Sequence, residues 1–543
     1  MKKILILLIL SLVIMTVAEG QDNPARVDTT AMPRLEIPEI TIVGKKAITL
    51  PFARKGEIYD IDIYEVSPPD TSILESRPAM SFPIGSLPRY EEPLIPWHVS
   101  AEGSFGSFST GHLRAYVDYK GKKWGIYGNG GIQTTNGHTV HASGNSFYMD
   151  ANAHSLVSTD NDILKSFRVS GGLQLMRDTY GIFGIRNSSV DRSRTNLVLG
   201  SRMSSLEREE STIDFNLRAN IWSLSDQQPA LSSSISAVSP ELTASYSAKV
   251  SNVQLQTQIS YSSTSLNYDH PAQTPSLFGI SAGANWWLRD NWNILIGGEY
   301  QGGAGSDGSR HSLIVPFAVL KWEFDQDRAM SLWFKPEMHL ASYGDYTEKN
   351  PYLVREIVLH PERKWFNVGG TFWFNSELFS LEINGAFAKS TDMCITLADS
   401  DKIYLAYVDA DQFTVRGTGT LKVLNNTRLT FAGVIQPSFE DGKSRQLPMI
   451  PLVQLAARAE LTLNLPLAVW SSLEFWSRQN VDTTGNKTLD EHLQLNVGAA
   501  SNVIPRTVLT LEVDNFLNHK FDWWSGYIAP GRTIKFEAKI NFQ

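Results

Sequence analysis

A single cysteine, Cys394, stands among 543 residues. That excludes an intramolecular disulfide and any zinc cage built from cysteine. Charge is scarce as well: Asp, Glu, Lys and Arg make up 19% of the chain, below the roughly 25% of an average soluble domain. Their balance is −8, which offers nucleic acid no electrostatic footprint. After the first twenty residues no apolar run reaches the length of a membrane-spanning helix. Gly-x-Ser-x-Gly, His-Glu-x-x-His and the phosphate-binding and dinucleotide glycine patterns are missing too. The chain is therefore read as a non-enzyme that needs no cofactor. What it has instead is aromatic and glycine content, with 10% Phe, Trp and Tyr, 14 of them Trp, and 39 Gly.

Met1-Lys2-Lys3 is a short basic start, Ile4 to Val17 is almost wholly apolar, and Ala18-Glu19-Gly20 places small residues before Gln21. Residues 1–20 read as a secretory signal peptide, since about 14 apolar residues fall short of the roughly 20 that a span needs. No cysteine follows the cleavage site, so lipoprotein anchoring is not expected. Residues 21–96 hold eleven of the 25 prolines. Proline fixes φ and removes a ladder donor, so this region is expected to be an extended periplasmic arm with short ordered pieces. Glu39-Ile40-Thr41-Ile42-Val43, closed by Gly44, is the piece with strand character.

From Trp97 the pattern changes to period two. Ile213, Phe215, Leu217, Ala219 and Ile221 interleave with Asp214, Asn216, Arg218 and Asn220, and Val253, Leu255, Thr257, Ile259 and Tyr261 with Gln254, Gln256, Gln258 and Ser260. Each such stretch is a strand with one apolar and one polar face. No set of amphipathic helices is present to cover those apolar faces, so lipid is the cover expected in an exported chain. Breaks in the pattern delimit about 22 strands, within a range of 18 to 22, across residues 97–543. Alternate breaks are short, as at 251–252 and 375–376, and the others long, as at 224–238, 264–275, 340–363, 438–449 and 517–531. The expected fold is all-β, a transmembrane antiparallel barrel with tight periplasmic turns and long extracellular loops.

Trp286-Trp287, Trp292, Trp333-Phe334, Trp365-Phe366, Phe372-Trp373-Phe374 and Trp476 fall near strand ends, where a membrane girdle places its aromatics. The inward faces carry both charge signs, grouping Arg218 with Asp214, Arg114 with Asp118, and Lys535 with Glu537 and Lys539. His138 and His141 share the spacing of a metal face but lack a carboxylate beside them, and they are read as ordinary loop polarity. Asp490-Glu491-His492 begins a strand and is read as a lumen or interface polar group. Asp307, Glu348, Lys349, Glu356 and Glu362 sit in long loops within reach of a solute.

The last strand carries Ile534, Phe536, Ala538, Ile540 and Phe542 on one face. That is similar to the signal by which outer-membrane barrels are recognised by the barrel-assembly machinery, although Gln543 follows the aromatic. Upstream, Leu509 to Val513 alternate into Asp514-Asn515-Phe516-Leu517-Asn518-His519-Lys520-Phe521, and a loop then reaches Pro530-Gly531-Arg532. This run of about 35 residues, with Asn515, Phe516, Asn518, Pro530, Gly531 and Arg532, resembles the end of TonB-dependent receptor barrels. The resemblance implies a barrel of 22 strands in the outer membrane of a Gram-negative-type bacterium, with arm and C-terminus in the periplasm, and uptake of a solute. It makes Glu39–Val43 similar to the TonB box, the strand offered to the energy-coupling protein. The sequence departs from the family in one large respect. Receptors carry a globular plug of about 130 residues before the barrel, whereas only residues 45–96 are available here. A barrel that wide leaks unless something fills it, and either the arm or the long loops folding inward, or a partner protein, would do so. Three functions stay open: a receptor-like transporter, a passive plugless porin, and a non-transporting scaffold of a surface or secretion complex.

Overall fold

The computed structural model describes residues 97–542 other than 122, 159–165, 185–189, 206–210, 229–230, 268–273, 290, 355–357, 400–401, 425 and 464–465. The signal peptide, the arm and Glu39–Val43 lie outside the described residues. Among the described residues, 22 antiparallel strands close into one barrel. They are β1 (Trp97–Gly106), β2 (Thr110–Lys120), β3 (Trp124–Thr135), β4 (Gly144–Ser158), β5 (Ser166–Gly181), β6 (Asp191–Ser205), β7 (Ser211–Gln228) and β8 (Leu231–Val250). Next come β9 (Val253–Ser263), β10 (Ser276–Arg289), β11 (Trp292–Ala304), β12 (Arg310–Glu323), β13 (Arg328–Phe334), β14 (Glu362–Asn375), β15 (Phe379–Asp399) and β16 (Lys402–Leu424). The ring ends with β17 (Thr427–Ile435), β18 (Val453–Thr462), β19 (Leu467–Trp476), β20 (His492–Ser501), β21 (Thr507–Asp514) and β22 (Thr533–Phe542). Short pieces at Ser265–Asn267, Glu337–His339 and Ser438–Glu440 prolong the sheet beyond β9, β13 and β17. β1 pairs with β22, with Val99 opposite Phe542 and Phe105 opposite Phe536. Closure leaves no unpaired edge, which is the condition for a sheet to stand in lipid.

The alternation places the apolar set outside. Phe215, Leu217 and Ile221 of β7, Leu255 and Ile259 of β9, and Ile534, Phe536, Ile540 and Phe542 of β22 are all exposed. So continuous an apolar belt is foreign to a soluble surface. Tight turns at 121–123, 251–252 and 376–378 gather at one end, and connections 264–275, 335–361, 436–452, 477–491 and 515–532 at the other. One expected loop is corrected. Residues 224–228 and 231–238 are not loop but the continuation of β7 and β8, paired as far as Gln228 opposite Leu231, and β15 and β16 are likewise paired as far as Asp399 opposite Lys402. These four strands run 18, 20, 21 and 23 residues, against about 9–11 for a span. Their hairpins rise past the membrane because pairing satisfies backbone groups that a loop would leave to water.

Aromatics cluster at the tight-turn end. Tyr119 lies between Trp97, at 4.6 Å, and Trp124, at 4.3 Å, and Trp322 lies between Trp292, at 4.7 Å, and Phe324, at 3.9 Å. Not every expected girdle residue points to the rim, and Trp373 shares the lumen face with its ladder partner Glu382. Trp333 lies over Gly369, where a Cβ would approach its ring to 2.4 Å, on the face opposite exposed Leu332. Trp476 is buried 5.2 Å from His492.

The charge pairs are also rearranged. Asp214 pairs with Arg202 of β6 at 2.6 Å, and Arg218 pairs with Glu241 of β8 at 3.7 Å. Arg114 donates to Asn129 at 2.8 Å, while Lys535 and Glu537 do pair, at 2.7 Å. Residues four apart on one strand are separated by about 13 Å, whereas cross-strand neighbours stand about 5 Å apart. Asp214 and Arg218, four apart, therefore find their partners across the ladder.

Candidate functional site

The lumen changes character along its length. On β7, Asn216 is exposed to the interior, but farther up the same face Asn220, Trp222 (2% exposed), Leu224 (0%) and Asp226 are buried. On β15, Glu382 is exposed while Ala388, Ser390, Met393, Ile395 and Leu397 are buried. A bulge between Ser390 and Met393 keeps these last three on the inner face. The lumen is thus solvated toward the tight turns and filled toward the long connections.

The filling is built around connection 335–361. Ser342 opens a helix, α1 (Tyr343–Lys349), with a capping box: its Oγ accepts from Asp345 N at 3.2 Å and its N donates to the Asp345 carboxylate at 2.7 Å. This reciprocal pair satisfies two amides that a short helix leaves unpaired. Tyr343 turns its ring onto Trp222, centroids 4.2 Å apart. Two arginines of β6 then hold the segment down. Arg192 forks onto Asp226 through Nε at 2.7 Å and Nη2 at 2.9 Å, and its Nη1 donates to the carbonyls of Pro351, at 2.9 Å, and Leu353, at 2.7 Å. Arg194 pairs with Asp178 and donates to the Thr347 carbonyl at 2.7 Å. Tyr180 Oη adds a donation to Pro351 O at 2.7 Å. Carbonyls freed at a helix end are natural targets for cationic donors.

Just beyond, Val354 N donates to Ile403 O at 2.8 Å, and Leu353 forms a parallel bridge to Ile403. Ile403 is on β16, ten strands round the ring from β6. A segment bonded to both walls crosses the mouth. Other connections join it. Tyr527, from 515–532, stacks on Tyr352 at 3.6 Å, and Val481, Leu489, Met449 and Ile182 complete one buried cluster with Leu359 and Trp222. Burial pushes the Tyr346, Tyr352 and Tyr527 hydroxyls far up, so these rings remain neutral at physiological pH.

The C-terminal motif residues come together as a staple at the foot of connection 515–532. Asn515, at φ 47°, donates from Nδ2 to the carbonyls of His519, at 2.9 Å, and Pro530, at 3.2 Å, and its Oδ1 accepts from His519 N at 2.9 Å. Asn518 Oδ1 accepts from Arg532 N at 2.9 Å, and Arg532 Nε donates to Phe516 O at 2.9 Å with its guanidinium 5.4 Å from the Phe516 ring. Gly531 is required here, because a Cβ would stand 2.7 Å from Asn518 Oδ1.

His138 lies 2.7 Å from the Ile528 carbonyl oxygen and edge-on to Phe183, so it belongs to the cap. Among the described residues no three His, Cys, Asp or Glu side chains converge to hold a metal ion. Of the loop charges, Asp307 sits 3.6 Å from His360 and Glu362 accepts from Ser390, while Glu356 lies outside the described residues. Sequence reasoning passed over Arg192, Arg194, Tyr180, Tyr343 and Tyr352. A signal was present, since Arg192 and Arg194 stand two apart on one strand face, but their targets are distant in the chain.

No family model and no curated protein matches the chain. Solved structures do. The copper transporter OprC superposes with a TM-score of 0.64 at 12% identity, over 82% of this chain and 80% of that one. The FrpB iron transporter from Neisseria meningitidis (F3-3 variant) gives 0.64 at 11%, over 82% of each chain. The ferric yersiniabactin uptake receptor FyuA from Yersinia pestis gives 0.62 at 11%, over 83% and 81%. At these identities the likeness is one of fold: the chain has the 22-stranded barrel of the TonB-dependent receptors, the architecture its C-terminal residues resemble.

Proposed function

We propose that the chain is an outer-membrane barrel that moves a solute across that membrane, its mouth closed at rest by its own connections. The capped end then faces the exterior, and the tight turns, the arm and the C-terminus face the periplasm. The observation that carries this reading is the bonded crossing of the mouth, from Arg192 on β6 through Leu353 to Ile403 on β16. A passive pore has no use for a seal anchored on two walls. Such a cap needs an input to open, and Glu39–Val43 is the segment proposed to offer a strand to the energy-coupling protein TonB. The face Ile534, Phe536, Ile540 and Phe542 is proposed as the signal taken up by the barrel-assembly machinery.

The test is single-channel conductance in planar bilayers, comparing the full chain with Arg192→Met/Arg194→Met. A closed full chain and an open variant are expected. Large steady conductance from the full chain would instead make it a passive porin. Silence from both would favour the scaffold reading.

A further inference from the structure

A cavity lies between α1 and the inner walls of β14, β15 and β16, beneath the cap. Its lining is uneven. One part presents donors: the side-chain amides of Asn350 and Gln412 with the ammonium groups of Lys349 and Lys364. Asn350 is 1% exposed and Gln412 6%, and neither Asn350 Nδ2 nor Gln412 Nε2 has a protein partner. Leaving such a group buried and unpaired is costly, and both residues line this one cavity. Asn350 is not simply idle, since its Oδ1 accepts from Tyr352 N at 3.0 Å. That bond fixes which end of the amide is the NH2, and that end is the one left without a protein partner. The lining also holds the apolar side chains Met393, Leu405 and Met449. Donors and hydrocarbon in one lining match an acceptor group carried on a carbon skeleton. Glu362, also in the lining, accepts from Ser390 at 3.1 Å, and Lys364 pairs with Glu337 at 3.4 Å, so the amides rather than the ion pairs set what is taken.

We infer that this cavity is a binding site for a small organic carboxylate, held by Asn350 Nδ2 and Gln412 Nε2 under the α1 segment. The inference deepens the capped-transporter reading and rests on it only for the route by which the ligand is passed on.

The experiment is titration calorimetry of succinate into the purified full chain in detergent, with inorganic phosphate as a second probe. Asn350→Asp keeps the Tyr352 bond but replaces the donor by an acceptor, and Gln412→Met keeps volume while removing the donor. Saturable succinate binding is expected, weakened about tenfold or more in each variant with thermal stability retained, and phosphate should bind more weakly. No succinate binding up to about 10 mM, or equal binding by both variants, would overturn the site. Phosphate binding as tightly as succinate would overturn the organic assignment. Binding in detergent is read whether or not the barrel conducts, so failure of the site and failure of the transport reading are separately visible.

Discussion

Each side chain on these strands answers to one of two environments, and neighbours in sequence answer to opposite ones. Leu217 faces outward and is 45% exposed, while Asn216 faces the lumen. Leu217→Arg is therefore expected to destabilise the barrel by about 2–4 kcal/mol if it lies near the midplane, and Asn216→Arg to be tolerated. Equilibrium unfolding in lipid vesicles reads the difference, and a reversed order would invert the facing of β7. At the mouth the accounting differs, because the charges are buried. Arg192→Met removes the guanidinium bonded to the Asp226 carboxylate and to two carbonyls, a loss on the scale of about 3–5 kcal/mol for a broken buried pair. That penalty falls on the cap, whose anchors are few, more than on the barrel ladder.

Among elements, β22 and the connection before it are the pieces that close the ring. Asn515 ties both ends of 515–532 in a left-handed conformation that alanine adopts only with strain. Asn515→Ala is expected to cost about 2–4 kcal/mol, seen as a lowered melting temperature, and an unchanged one would mean that the staple is redundant. Phe542 stands on the outer face opposite Val99. Phe542→Ala should lower the amount of barrel inserted in the outer membrane more than Gln543→Ala, and equal insertion would remove Phe542 from the assembly signal. The strands themselves were legible because a period of two is written locally. Their extents were less so. The tips of β7 and β8 lose the clean apolar alternation at Leu224–Gln227 and Ser233–Ser236, since there both faces meet protein or water instead of lipid and lumen. Aromatic position alone did not separate the girdle from the interior. Trp97 and Trp476 both end a barrel strand, yet only Trp97 is exposed at the membrane rim.

For the molecule as a whole, the question raised by a barrel of this width is what stops it leaking. In the function proposed here the long connections do so at one end. Conductance of a chain lacking residues 21–96 tests whether they suffice. The truncated barrel is expected to stay closed, since every anchor named above lies within the barrel. A steady open level would assign the sealing to the arm instead.

The sequence by itself determined the barrel: alternation, the parity of short and long connections, and the closing strand each depend on residues within about one hairpin. Only the tertiary structure decided which connection crosses the lumen and what holds it there. Arg192 meets Leu353 at a separation of 161 residues, and Tyr180 meets Pro351 at 171. No local pattern encodes such pairs. They exist because closing the ring brings β5, β6 and β16 to one mouth, where the carbonyls of an inward segment need donors that its own short helix lacks.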